Sequence, residues 1–466
     1  MKVLVLGAGL AGLAAAYELT QLGHEVQILE AGDEVGGMAS SWKVGPFWLD
    51  HGPHRFHSRD ARLVEHVFEV LDRGVVIRRR QSRIHLRGRY FDYPLKFGNV
   101  VRHLPTGLLA RAAFDYAAVR AKELVRPTDD SNFEHWVKKR FGNTLYELFF
   151  GTYTEKTWGI PCNRISADWA AQRIAQTSLF DTVMKTLRPP KEGTVRSLAD
   201  EFYYPAHGGI GELARSYARK IEARGARIAL QTPVHSLIVH DGRVRGVRAK
   251  IDGSEQEVHA DHTLCTIPLP RLMAESASDA PDAVRSAASG LDYVAILFVY
   301  LEVDAPSVSP DHWIYLPERH LRIHRVSEFK NFSDASAPGD RTAICCEITC
   351  RVGDDTWNLD LAAAAELAEL DLVASGLVKM GSTRPLDLRR LAQAYPVYEV
   401  GYQERLRPLL SHAKSLDGFT STGRQGLFRY NNMDHSIAMG RKAGRGIAHG
   451  DKTRGEEVAS GQEYFG

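Results

Sequence analysis

The feature that most constrains this chain is the run Gly7-Ala8-Gly9-Leu10-Ala11-Gly12, because of what flanks it. Residues 2–6 are a short apolar stretch of strand type, residues 10–22 have helical spacing, and residues 25–30 read as a second strand, which makes one βαβ unit. In such a unit Gly7 permits the tight turn, Gly9 lets the backbone approach a pyrophosphate, and Gly12 allows close packing of helix on strand. Leu10 and Ala11 open the helix, whose unpaired N–H groups face negative charge. Glu30, closing the second strand, stands where an acid accepts ribose hydroxyls. The expected fold class is therefore α/β, with a Rossmann-type dinucleotide-binding domain.

At 466 residues the chain exceeds what one hydrophobic core usually organises, so interlocked lobes are expected. Residues 132–173 carry aromatic and basic residues at helical spacing, broken by Pro161, and predict a helical insertion facing the cofactor. Residues 226–261 alternate in period two around Asp241-Gly242, a hairpin pattern that continues into 263–267. Strands are expected at 294–303 and 342–349, and a helix over 358–380. The expected division is a first dinucleotide-binding part at 1–75, a mainly helical cap at 76–200, a second dinucleotide-binding part at 201–270, a mixed-sheet substrate domain at 271–415, a returning segment at 416–445 and a flexible tail at 446–466.

Charge and cysteines exclude several classes. Lys+Arg 59 against Asp+Glu 57 is too balanced for global attraction to nucleic acid, so no nucleic-acid partner is expected. The basic string Arg78-Arg79-Arg80, with Arg83, Arg87 and Arg89, reads as a solvated hairpin or as a lure for a phosphorylated ligand. Cys162, Cys265, Cys345, Cys346 and Cys350 show no spacing for zinc or an iron–sulfur cluster, so no metal is expected, and free thiols suit a cytoplasmic setting. No apolar run reaches the ~18 residues that span a bilayer. The apolar opening, residues 1–19, holds the patterned glycines and reads as retained structure.

Two further segments resemble the FAD signatures of the flavoprotein superfamily that contains amine oxidases, protoporphyrinogen oxidase, phytoene desaturase and UDP-galactopyranose mutase. These are Gly36-Gly37 after Glu30, and Gly423-Arg424-Gln425-Gly426 preceding Asp434-His435-Ser436. Val234, after Gln231-Thr232-Pro233, is similar to the position whose backbone meets adenine in that superfamily. Within it, Gly52-Pro53-His54-Arg55-Phe56-His57 resembles the histidine motif of UDP-galactopyranose mutases. Tyr93-Pro94 is similar to a nucleotide-contacting stretch of eukaryotic-type mutases, and Tyr153-Thr154-Glu155-Lys156-Thr157-Trp158-Gly159 to a motif of bacterial ones. Trp313-Ile314-Tyr315, then Arg325 ten residues past the tyrosine, Tyr395-Pro396 and Arg429-Tyr430 extend the likeness to about residue 445. Lys96, Leu95 and Thr154 depart from the mutase pattern, and Ile267-Pro268-Leu269-Pro270 reads as readily like an oxidase.

The resemblance implies FAD, active in its reduced form with NAD(P)H a candidate reductant, and an NDP-sugar mutase that interconverts pyranose and furanose forms through a reduced-flavin N5 adduct. His54 would lie beside the flavin ring, Arg173 and Arg325 would grip the diphosphate of a nucleotide sugar, and Tyr93, Tyr153, Trp158, Tyr315, Tyr395 and Tyr430 would line the substrate pocket. A diphosphate asks for forked cationic donors, which arginine supplies and lysine does not. Two alternatives stand beside this: an FAD-dependent oxidase, dehydrogenase or desaturase of a secondary-metabolite or tetrapyrrole intermediate, and a non-catalytic FAD-binding partner protein. The fold alone cannot choose among them.

Overall fold

The computed structural model describes residues 1–126, 128–173, 201–276 and 280–451, without the side chains of Phe97 and of residues 171–173. Its first layer is a five-stranded parallel sheet in the spatial order Phe419–Ser421, His262–Cys265, Lys2–Leu6, Glu25–Leu29, Arg227–Ala229. Lys2–Leu6 lies central and its last four residues are buried, as a strand covered on both faces requires. The helix Leu10–Gln21 follows it and is buried along almost its whole length, because further helices cover it.

One of these covering helices is Met433–Ala448. A Cβ added to Gly440 would stand 2.0 Å from the Ala11 carbonyl oxygen, so only glycine allows the two helices to approach this closely. Buried Glu18 ties the pair further, accepting from Arg441 Nε at 2.5 Å and from Arg445 Nε at 2.8 Å. This helix runs three residues into the segment expected to be a tail, and 452–466 lie outside the described residues.

The hairpin expected around Asp241-Gly242 is present: Val234–His240 pairs antiparallel with Arg243–Ile251, and both turn residues have positive φ, at 51° and 73°. Its third strand is Ser254–His259. Residues 263–267 do not continue this hairpin as expected; His262–Cys265 pairs parallel with Lys2–Leu6 instead. The helix expected over 358–380 is shorter, Leu361–Ala374. Asp360 caps its start by accepting the Ala363 N–H at 2.8 Å, and Gly376, at φ 72°, turns the chain away just past its end.

The second main layer is a seven-stranded mixed sheet, ordered Thr383–Pro396, Tyr293–Val303, Thr342–Cys350, Arg325–Glu328, Trp313–Tyr315, Ser82–Leu86, Arg89–Asp92. Beside it stands a helical lobe containing Phe97–His103, Thr106–Val125, Phe133–Phe141, Thr152–Trp158 and Ala167–Arg173. The insertion is thus helical, with Pro161 at its break as expected, and helix begins earlier than residue 132. No described helix is long and apolar enough to cross a membrane. The five cysteines are free and buried.

Candidate functional site

A cavity of about 1050 Å³ runs from the glycine loop of the parallel sheet to the face of the mixed sheet. Of the residues singled out in the sequence, Gly7, Gly9, Leu10, Ala11, Glu30, Gly36, Gly37, Val234, Arg424 and Ser436 line one stretch. His54, Tyr93, Tyr153, Trp158, Tyr315, Arg325, Tyr395 and Tyr430 line the same cavity.

At the glycine loop, Gly9 faces open space: an added Cβ would meet nothing within 4 Å. Gly12 is the opposite, since its Cβ would stand 2.1 Å from the Gly7 carbonyl oxygen. Gly12 therefore packs helix on loop and does not face the cavity. The Glu30 carboxylate is aimed by two backbone donors, Ala8 N–H at 2.7 Å and Gly32 N–H at 2.8 Å, leaving lone pairs for further hydroxyls. Gly36 N–H donates to the Ala8 carbonyl at 2.8 Å, which fixes the second glycine pair against the first.

The start of the helix Met433–Ala448 opens on the cavity through Asn432, Met433 and Ser436. Gly423, Asp434 and His435 do not line it. Gly423 packs on Ala11, where an added Cβ would come within 2.8 Å of that side chain. Asp434 is buried, and His435 Nδ1 accepts the Asn432 N–H at 3.2 Å. An open glycine, an aimed carboxylate and a helix N-terminus at one cavity wall fit the pyrophosphate and ribose of a flavin adenine dinucleotide.

The mixed sheet supplies the other wall through strand register. Tyr315 stands directly opposite Arg325, Arg325 opposite Glu347, and Glu347 opposite Phe298. Residues opposite one another share a sheet face, so this row points into the cavity together with Ile84, the partner of Tyr315. The ten-residue spacing between Tyr315 and Arg325 is the length of the connection that returns to this register.

Arg325 does not present a free fork. Its Nε donates to Glu347 Oε1 and its Nη2 to Glu347 Oε2, both at 2.6 Å, and Nη2 reaches the Tyr395 hydroxyl at 3.3 Å. Glu347 is fully buried, and Gly52 makes room for it: a Cβ there would stand 2.9 Å from its carboxylate. Sequence reasoning missed Glu347, although a lone ionisable residue in the apolar run 342–350 is a signal that could have found it.

Two aromatic groups flank this ion pair. Tyr395 lies 5.3 Å from Tyr430 and 5.7 Å from Trp158, and Trp169 touches both Trp158 and Tyr430. Tyr315 lies 4.7 Å from Tyr93 and 5.4 Å from Tyr153. Arg424 braces the first group, with its guanidinium 4.2 Å from the Tyr430 ring and its Nη atoms donating to Asn431 and Ala394 carbonyls at 2.8 Å. The motif lysine, Lys156, is not a cavity residue; its Nζ donates to the carbonyls of Leu316, Glu318 and Ile323. The side chain of Arg173, at the end of its helix, lies outside the described residues.

Burial, aided by the positive field of Arg325, pushes the His54 imidazole down to about 3, so it is neutral at ordinary pH. Its Nδ1 is buried without a partner among the described residues. The loop that carries His54 hangs from Asp50, whose carboxylate accepts from Ser41 Oγ at 2.6 Å, the Tyr204 hydroxyl at 2.5 Å and Ile210 N–H at 3.2 Å. Complete burial outweighs those bonds and raises the Asp50 carboxyl to about 6. A carboxyl raised above its unfolded value favours folding below about pH 4, and that contribution is lost as pH rises through 6. Wild type is therefore expected to lose on the order of 3 kcal/mol of stability from this group over that window, and Asp50→Asn to lose much less. Denaturant unfolding at pH 4.5 and pH 7 checks it; equal losses in both proteins would contradict the assignment.

The basic string divides. Arg83 forks onto buried Asp311, Arg78 donates to the Phe332 carbonyl and pairs with Asp334, and Arg80 lines the cavity.

Comparison with known proteins agrees with this architecture. The chain is similar to the crystal structure of a reduced UDP-galactopyranose mutase, with a TM-score of 0.84 and 23% identity over 100% of this chain and 99% of that one. It is 25% identical over 294 residues to a zeta-carotene-forming phytoene desaturase of Myxococcus xanthus, covering 58% of this chain and 54% of the relative. It is also 25% identical over 177 residues to a Klebsiella pneumoniae protein described as a probable UDP-galactopyranose mutase, covering 36% of this chain and 43% of the relative. The chain spans about half the length of the curated relatives it matches. Residues 10–409 match the profile of flavin containing amine oxidoreductases, a span that takes in the glycine helix, the His54 loop and the whole mixed-sheet wall, and the chain belongs to that family of flavin-dependent enzymes.

Proposed function

We infer that this flavoprotein is an NDP-sugar mutase, interconverting ring forms of a nucleotide-linked sugar without net redox change. The observation that carries this reading is the setting of Arg325 between two tyrosine groups in the cavity that also holds the glycine loop. Tyrosine hydroxyls donate to phosphate oxygens and their rings stack on a sugar or base, which suits a nucleotide sugar. Arg80 and Arg424, which line the cavity beside the Arg325–Glu347 pair, oppose a protonated amine and give an apolar polyene no partner for their charges.

Reduced FAD, when bound, supplies the nucleophile for the sugar. The protein's own part is orientation and charge. Arg325 and the tyrosine hydroxyls would steady the negative charge that grows on a departing diphosphate. Neutral His54 offers one donor and one acceptor rather than a charge. The enclosed tyrosine groups would keep the departed nucleoside diphosphate from diffusing away before it recaptures the reclosed sugar.

A second reading is supported by the apolar stretch of the same cavity, where Phe133, Phe141, Phe149 and Phe150 suit the flat body of an oxidase or desaturase substrate. Anaerobic incubation of dithionite-reduced protein with UDP-galactose separates the two. The mutase is expected to form an isomer of equal mass with no acceptor consumed. No conversion of any nucleotide sugar by the reduced protein, together with repeated, substrate-dependent reduction of an acceptor by the oxidised protein, would establish the redox enzyme instead.

A further inference from the structure

Arg55 follows His54 in the motif loop and lines the cavity, yet it takes no part in the machinery above. Its guanidinium lies 4.2 Å from the centre of the Trp313 ring. Among the described residues it has no ion pair or hydrogen-bond acceptor, unlike Arg325 on Glu347 and Arg83 on Asp311. Arg80 lines the same wall and likewise has no acidic partner among the described residues. Of the acids that line the cavity, Glu347 is engaged with Arg325, and Glu201 makes no ion pair with Arg55 or Arg80.

An unpaired guanidinium in a part-buried cavity is costly. Stacking on one tryptophan offsets only part of that cost, and it leaves the N–H edge of the group unsatisfied. Burial first, and then the fields of Arg80 and Arg325 against a favourable Tyr315, pulls the Arg55 guanidinium down to about 10, so it remains a cation at neutral pH. The backbone that carries it is firm, since Phe56 and Tyr203 exchange hydrogen bonds at 3.1 and 2.7 Å. Arg325, with two of its donors on Glu347, forms a pair of no net charge. An anionic ligand on this wall therefore meets two cations without an acidic partner among the described residues, Arg55 and Arg80.

We propose that Arg55 and Arg80 form an oxyanion-binding wall that takes a phosphate or carboxylate group of the substrate. It rests on the reading of the substrate as a nucleotide sugar, and it deepens that reading by assigning a second anionic contact apart from Arg325. The group held there is either part of the diphosphate or an acidic substituent on the sugar.

The test uses flavin-loaded protein and four probes, inorganic pyrophosphate, UDP, UDP-galactose and UDP-galacturonic acid, with dissociation constants from quenching of flavin and tryptophan fluorescence. Arg55→Gln is expected to weaken at least one probe by about tenfold or more, with flavin content and melting temperature unchanged. Arg55→Lys keeps charge without the fork and should recover part of the loss. Equal losses for pyrophosphate, UDP and UDP-galactose identify the diphosphate; a loss confined to UDP-galacturonic acid identifies a sugar acid. Should Arg55→Gln fail to hold flavin, Arg80→Gln, outside the motif loop, carries the same measurement. Wild-type affinity for every probe in the Arg55→Gln/Arg80→Gln protein, or no anion bound by wild type, overturns the proposal. If pyrophosphate binding depends on Arg55 while no nucleotide sugar is isomerised, the wall stands and the mutase reading falls.

Discussion

Gly9→Val is expected to yield a folded protein that purifies without flavin, and Gly12→Val a protein that does not fold at all. The two glycines are three residues apart, yet their surroundings differ completely. Nothing lies within 4 Å of a Cβ on Gly9, and the space it would enter belongs to the cavity. The valine then strains no contact of the free protein but stands where a pyrophosphate must approach the backbone. A Cβ on Gly12 would meet the Gly7 carbonyl oxygen at 2.1 Å, and neither backbone can yield without breaking the strand–helix junction. That cost lies at or beyond the upper end of the roughly 1–3 kcal/mol typical of an overpacked core. Circular dichroism and visible absorbance after reconstitution with FAD check both outcomes. A Gly9→Val protein with full flavin content would remove the loop from the cofactor site.

Arg325→Ala is expected to cost both stability and affinity, and a second substitution should separate the two. Removing the guanidinium leaves Glu347 as an uncompensated charge at 0% exposure, and breaking a buried pair in this way costs about 3–5 kcal/mol. Pairing it with Glu347→Gln removes the stranded charge, so the double variant should recover most of the stability. Affinity should not return. If Arg325 meets a diphosphate, the loss of charge-assisted hydrogen bonds worth about 1.5–3 kcal/mol weakens UDP roughly ten- to a hundredfold in both proteins. Thermal melting and UDP titration read the two effects independently. A double variant that binds UDP as wild type does would show that Arg325 serves the fold alone.

Much of the cofactor end was legible in the sequence because its signals are local. Gly7 to Gly12, Glu30 and the Asp241-Gly242 turn are each specified within a few residues, where sterics and hydrogen bonding leave little choice. The helix over 361–374 was overextended because its stop, Gly376, lies inside an alanine- and leucine-rich stretch whose spacing continues past it. Gly440 was passed over because its reason is the Ala11 carbonyl of another helix.

The substrate end divides in the same way. The sequence by itself determined a βαβ unit built for a dinucleotide, and a set of arginines and tyrosines in an order that resembles one flavoprotein branch. It did not determine which cation faces which anion. Tyr315, Arg325, Glu347 and Phe298 become one row only through the register of four strands, and Arg55 meets Trp313 across more than half the chain. Tertiary structure alone decided that Arg325 is paired and that Arg55 has no acidic partner among the described residues. The physical reason is that a charge is neutralised by whatever lies within a few ångströms of it, and that distance is set by long-range strand pairing rather than by neighbours along the chain.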